Sequence, residues 1–115
     1  MRNTVYLDYA ATTPLDPRVR DSMLECMDAA HGFGNPSSAT HIYGLEAAEH
    51  IENAASAVAE LLNAEPAEII WTSGATESNN LALIGAARFR AMHGRHIVTT
   101  AIEHKSVLES CRWLE

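Results

Sequence analysis

The sequence predicts an α/β fold, a mainly parallel sheet with helices flanking it. Glu68-Ile69-Ile70-Trp71-Thr72 and His96-Ile97-Val98-Thr99-Thr100 are short β-type runs. A helical stretch from Thr76 to Met92 lies between them, with Leu81, Ile84, Ala87 and Ala91 on one face. The turn into that helix, Ser73-Gly74-Ala75-Thr76, is tight and built of small residues. Strand, helix and strand within about 30 residues make one βαβ-type unit, and alternation of this kind argues for a parallel sheet.

The remaining elements follow in order. Val5-Tyr6-Leu7 reads as a short strand that ends in the small-residue turn from Asp8 to Pro14. Asp16 is placed as an N-cap with Pro17 at the first helical position. Val19, Met23 and Cys26/Met27 recur at helical spacing, so Cys26 is expected as a small buried hydrophobe. Gly32-Phe33-Gly34-Asn35-Pro36-Ser37-Ser38 is a loop. An Ala-rich helix is expected over 44–62, burying Ile51, Ala55, Val58 and Leu62 and ended by Asn63 and Pro66. Gly94 is placed as the stop of the 76–92 helix, and a last helix starts near Ser106. The expected organisation is a strand and turn segment over 1–15, a helical segment over 16–64 and an α/β segment over 65–115.

Composition excludes several functions. The chain has 115 residues and a formal net charge of −7. It has no basic stripe, so DNA and anionic membrane surfaces are poor partners. No apolar run approaches the roughly 20 residues that span a bilayer. The N-terminus, Met1-Arg2-Asn3-Thr4, shows no secretory signal. The two cysteines, Cys26 and Cys111, are far apart and lack metal-type spacing, which suits a reducing, cytoplasmic setting. His93 with His96, and Glu46 with His50, match no zinc motif, so surface or capping histidines and no metal site are expected.

Two strand ends remain as places for chemistry, because open α/β sheets hold ligands beyond the carboxyl ends of their strands. At the first, Gly74 lets the backbone turn tightly and approach a ligand. The amides of Ala75, Thr76 and Glu77 would be unpaired helix-start donors able to face an anion, and the Thr76 hydroxyl could add a bond. Plain N-capping by Ser73 or Thr76 explains the same residues. The chain has neither a Walker-type loop nor a Gly-x-Gly-x-x-Gly fingerprint. At the second end, His104 could stack on a flat cofactor or shuttle protons, or be a loop histidine with a backbone hydrogen bond. Lys105 opens a helix and reads as a solvated charge, not a Schiff-base lysine.

Four segments resemble the cysteine desulfurases of the class V aminotransferase group. They are Leu7-Asp8-Tyr9-Ala10-Ala11-Thr12-Thr13-Pro14; Gly34-Asn35-Pro36-Ser37-Ser38 with His41 and Gly44; Thr72-Ser73-Gly74-Ala75-Thr76-Glu77-Ser78-Asn79-Asn80; and Glu103-His104-Lys105-Ser106. Their order and spacing together are specific. The resemblance implies the N-terminal part of a fold-type I pyridoxal-phosphate (PLP) transferase, of the aspartate-aminotransferase-like kind. It also implies that 16–64 links a small and a large domain, and that 65–115 begins the PLP-binding large domain. Carried over by residue, Ala75 and Thr76 resemble the PLP phosphate ligands. His104 resembles the residue stacked on the pyridine ring, with a share in proton transfer. Ala11, Thr12 and Asn35 fall in segments that approach the substrate side.

The family takes sulfur from L-cysteine, leaving L-alanine, and passes it as a persulfide to acceptors for iron–sulfur clusters, thiolated tRNA or other thio-cofactors. The implied partners are L-cysteine, a sulfur-acceptor or scaffold protein, a second copy in a homodimer and the remaining C-terminal portion of the enzyme. The anchoring lysine, the acidic partner of the pyridine nitrogen, the arginine that grips the substrate carboxylate and the nucleophilic cysteine are all expected beyond Glu115. Neither Cys26 nor Cys111 resembles that nucleophile. A bare reading pairs strands 68–72 and 96–100, whereas the resemblance separates them by strands supplied later. Two other readings stay open: a selenocysteine lyase or other class V relative, and a non-catalytic docking or regulatory module.

Overall fold

The computed structural model describes residues 4–30 and 32–115, so Met1-Arg2-Asn3 of the segment read for a secretory signal lie outside the described residues. The chain forms two compact units, Met1–Ile69 and Ile70–Glu115.

In the first unit, the Tyr6 hydroxyl donates to the carbonyls of Asp8 and Thr12, at 2.9 and 3.2 Å. The Asp8 carbonyl also accepts from the amides of Ala11 and Thr12 at 3.1 and 3.4 Å. One carbonyl therefore gathers the whole Asp8–Thr12 turn, which small side chains at Ala10 and Ala11 permit. Helix α1 (Pro17–Met27) begins as expected, with Asp16 accepting the Arg18 amide at 2.8 Å and Pro17 just inside. The Arg18 guanidinium also bonds both Asp16 oxygens, and these bonds, then the amide, hold the carboxyl below its ordinary range.

Helix α2 (Ile42–Leu62) starts two residues before the expected Gly44 because His41 caps it, Nδ1 accepting the Gly44 amide at 3.1 Å. It ends as expected at Asn63, in the left-handed conformation with φ 52°. A 3₁₀ turn, Pro66–Glu68, packs back on α2. The Asn35 loop is pinned by its own bonds, the Ser38 amide to the Asn35 carbonyl and the Ser37 amide to Asn35 Oδ1, both at 2.9 Å. It lies so close to the α2 start that a Cβ on Gly34 would overlap the Tyr43 carbonyl. One on Gly44 would overlap the Ser38 carbonyl. The buried face of α2 is Gly44, Ala47 and Ala59. This corrects the expected face: Ala55 and Val58 are half-buried, Ile51 and Leu62 exposed. At Gly44 it is the backbone of the loop that reaches α2, and only a residue without a side chain admits so close an approach.

Cys26 is exposed, which corrects its expected burial. Among the described residues no other element packs on α1, so its stripe of Val19, Met23 and Met27 has no cover.

The second unit holds helices α3 (Ala75–Arg90) and α4 (Lys105–Leu114), packed together. Near their starts, the Asn79 side-chain amide donates to Ser106 Oγ at 2.8 Å. Near their ends, the Arg88 guanidinium sits 4.8 Å from the centre of the Trp113 ring. Partners matched start to start and end to end make α3 and α4 parallel neighbours. Parallel neighbours require a connection that runs back the full length of the pair, here 91–104. This is the helix layer of an alternating α/β unit.

The strands expected at 5–7, 68–72 and 96–100 are not formed among the described residues. Glu68 closes the 3₁₀ turn, and 69–72 and 95–100 carry neither helix nor turn. A strand exists through its neighbour, which fills its amides and carbonyls, and the described residues supply none. The helix over 76–92 is observed one residue early at its start, and it ends at Arg90 with Ala91, not Gly94, as its cap.

Gly44→Ala in the full-length protein should lower unfolding stability by about 1–3 kcal/mol, the scale of forcing bulk into a packed contact. Ser38→Ala should stay within about 0.5 kcal/mol, because the obstructing atom is the Ser38 carbonyl. Denaturant unfolding of the two variants checks the pair.

Candidate functional site

Because α3 and α4 run parallel, their N-termini lie at one end of the second unit. That end brings together the two segments that the sequence singled out, Ser73–Thr76 and Glu103–His104. The positive ends of both helix dipoles add there.

Gly74 caps α3 with φ 155° and ψ −175°, a conformation that a side chain would strain. Among the described residues no side chain bonds the first-turn amides of α3. This answers the capping alternative: neither Ser73 nor Thr76 acts as the cap. Ser73 turns the other way, giving both its amide and its hydroxyl to Glu77 Oε2, at 2.7 and 2.6 Å. Thr72 Oγ1 pairs with Ser78 Oγ at 2.6 Å and donates to the Gly74 carbonyl at 3.3 Å. The neighbouring hydroxyls are thus used to shape the turn. The amides of Ala75 and Thr76 and the exposed Thr76 side chain are left as donors. An added Cβ at Gly74 would meet no atom within 4 Å, so the approach to those donors is open. The chemistry suits a small anion such as a phosphate monoester. The hydroxyl and then the amide of Ser73 hold the Glu77 carboxyl below its ordinary value.

His104 caps α4. Its Nδ1 accepts the Ser106 amide at 3.2 Å and lies 2.8 Å from Ser106 Oγ. The backbone hydrogen bond expected of a loop histidine is present, and the ring remains exposed. Lys105 opens α4 and is exposed, as expected of a solvated charge. Ala11, Thr12 and Asn35 belong to the first unit, where the first two supply turn amides and the third shapes its loop. Sequence reasoning gave no role to Asn79 or to the Ser106 hydroxyl. The available signal was the Asn79-Asn80 pair in an early helical turn, where asparagine is a poor helix former unless its amide is engaged.

No group of histidine, cysteine or acidic residues among the described residues could hold a metal ion. No helix there is long and apolar enough to cross a membrane.

The class V aminotransferase model matches residues 5–115. The chain belongs to that family. Cysteine desulfurase IscS of Stutzerimonas stutzeri (strain A1501) is 58% identical over all 115 residues, which make up 28% of that relative. Cysteine desulfurase IscS of Azotobacter vinelandii is 56% identical over the same span and share. A solved structure of a NifS-like protein superposes with a TM-score of 0.80 and 44% identity, over 90% of this chain and 28% of that one. The fold is thus that of the N-terminal part of a fold-type I transferase. The chain spans 28% of the length of these class V relatives.

The Glu77 carboxylate bonds should be fully formed at neutral pH and weaken as pH falls through its lowered value, since protonation removes the charge that strengthens the acceptor. The Ser73 amide should accordingly lose hydrogen-exchange protection in acid. In Glu77→Gln that protection should be weaker and no longer depend on pH over the carboxylate range.

Proposed function

We propose that this chain is the N-terminal portion of a PLP-dependent cysteine desulfurase, a sulfurtransferase acting on L-cysteine for iron–sulfur cluster or thio-cofactor synthesis. One observation carries the cofactor part of this reading. The first turn of α3 presents unfilled amides behind an unobstructed Gly74, beside an exposed imidazole at the start of α4. The names of the relatives support the choice of substrate.

In this reading PLP supplies the electron sink for bond cleavage next to the substrate amine. The residues of this chain bind and orient. The Ala75 and Thr76 amides, with the Thr76 hydroxyl, hold the phosphate, so its charge is met by fixed dipoles that need no reorganisation. His104 would cover the ring, with a share in proton transfer. The anchoring lysine and the cysteine that receives sulfur come from the remaining C-terminal portion. The assembled enzyme is a homodimer that hands sulfur to an acceptor or scaffold protein.

The deciding experiment is turnover by the complete polypeptide: L-cysteine and PLP should give L-alanine and a protein persulfide. Failure to form alanine from cysteine would remove the reading. The 115-residue chain alone should not exceed free PLP, since it holds neither the lysine nor the cysteine.

In the complete enzyme, Thr76→Ala should weaken PLP binding by about 1.5–3 kcal/mol, the loss of a hydrogen bond to a charged group. PLP titration of the apo-protein by absorbance measures it. His104→Ala should lower turnover and alter the cofactor spectrum, while Lys105→Ala should leave the spectrum unchanged. Borohydride reduction and peptide mapping should place no pyridoxyl label on Lys105.

A further inference from the structure

We propose that Asn79 and Ser106 are positioning residues that fix the His104 imidazole in one tautomer, with its proton on Nε2. The proposal rests on the reading of His104 as the ring over the cofactor. A backbone amide can only donate, and the Ser106 amide is bonded to Nδ1 of His104 at 3.2 Å. Nδ1 therefore presents a lone pair. Ser106 Oγ stands 2.8 Å from the same nitrogen. A serine hydroxyl has one proton and two lone pairs. Since Nδ1 is an acceptor, Oγ can bond it only by donating its proton, and the Asn79 side-chain amide, donating to Oγ at 2.8 Å, uses a lone pair and leaves that proton free for Nδ1.

The relay is held in place. Ser106 is 7% exposed and Ser110 is 2% exposed. The Ser110 hydroxyl donates to the Ser106 carbonyl at 2.7 Å. Turning Ser106 away would strand polar groups in a covered position, which is costly. Asn79 lies on α3 and His104 at the start of α4, so the helix that offers the anion-binding amides also sets the ring carried by its neighbour. The neutral imidazole then offers a hydrogen-bond donor at its free edge, and its basic nitrogen is occupied by Ser106. In this state His104 orients an acceptor on substrate or cofactor.

The test is ¹⁵N NMR of the complete enzyme carrying ¹⁵N-histidine, about 1.5 pH units above the ordinary imidazole pKa. His104→Gln assigns the two signals. The wild type should show a pyrrole-like Nε2 and a pyridine-like Nδ1. Ser106→Ala and Asn79→Leu, which keep the Ser106 amide at Nδ1 but lose or loosen the closer hydroxyl, should shift both signals part of the way toward the averaged values of mixed tautomers, and Ser106→Thr should keep the wild-type pattern. Both disrupting variants should lose about tenfold in kcat, the scale of losing a hydrogen bond that orients a functional imidazole, with PLP content unchanged. A proton on Nδ1 in the wild type overturns the proposal, as does an unchanged pattern in Ser106→Ala and Asn79→Leu. Full turnover in His104→Gln overturns the reading beneath it, and that result is separate from the NMR.

Discussion

An extended backbone cannot satisfy its own amides and carbonyls, and that constraint governs this molecule. A helix closes its hydrogen bonds locally, so α1, α2, α3 and α4 form from the chain itself. The β-type runs need neighbours at about 4.8 Å and find none among the described residues. Ile70, Trp71 and Val98 on those runs are 67%, 54% and 85% exposed, too apolar for a surface loop by design. Their composition is that of strands covered on both faces. A chain that spans 28% of its relatives explains the mismatch on the proposed reading: the missing neighbours and the missing cover come from the remaining portion.

The same constraint shows how the α/β topology survives without its sheet. Asn79 with Ser106, and Arg88 with Trp113, align α3 and α4 in parallel. Sequence neighbours in an all-helical protein prefer to pack antiparallel through short loops. Parallel packing with a return segment between them is what a βαβα chain leaves behind when its strands are unpaired. The helix layer keeps both helix starts at one end.

Legibility followed the range of the forces. The caps were readable where a side chain reaches its own neighbours: Asp16 with Pro17, and Asn63 past the end of α2. The turn into α3 was readable only in part. Ser73-Gly74-Ala75-Thr76 fits a capped helix as well as an open one, and the choice turned on Glu77 drawing the Ser73 hydroxyl away. The buried face of α2 was misread because hydropathy favours Ile51 and Leu62, while the residues covered are the small ones, Gly44, Ala47 and Ala59. Cys26 was misread because a helical stripe says which face is apolar, not whether anything covers it. The Asn79–Ser106 bond joins residues 27 apart, and no local pattern announces such a pair.

The net charge of −7 and the proposed phosphate site look incompatible until distance is considered. Charges on solvated surfaces are screened beyond about 8–10 Å at physiological salt. Acidic side chains spread over the chain therefore act weakly on a bound anion, although together they repel a polyanion that must lie along the surface. The α3 amides act at hydrogen-bond distance, where screening has no room to operate, and the dipole of α4 adds at the same end. Glu77, in the first turn of α3, is engaged by the amide and hydroxyl of Ser73. On the proposed reading a net charge unfavourable to a polyanion and a site for a single phosphate are compatible, because the first depends on the summed field and the second on two or three fixed donors.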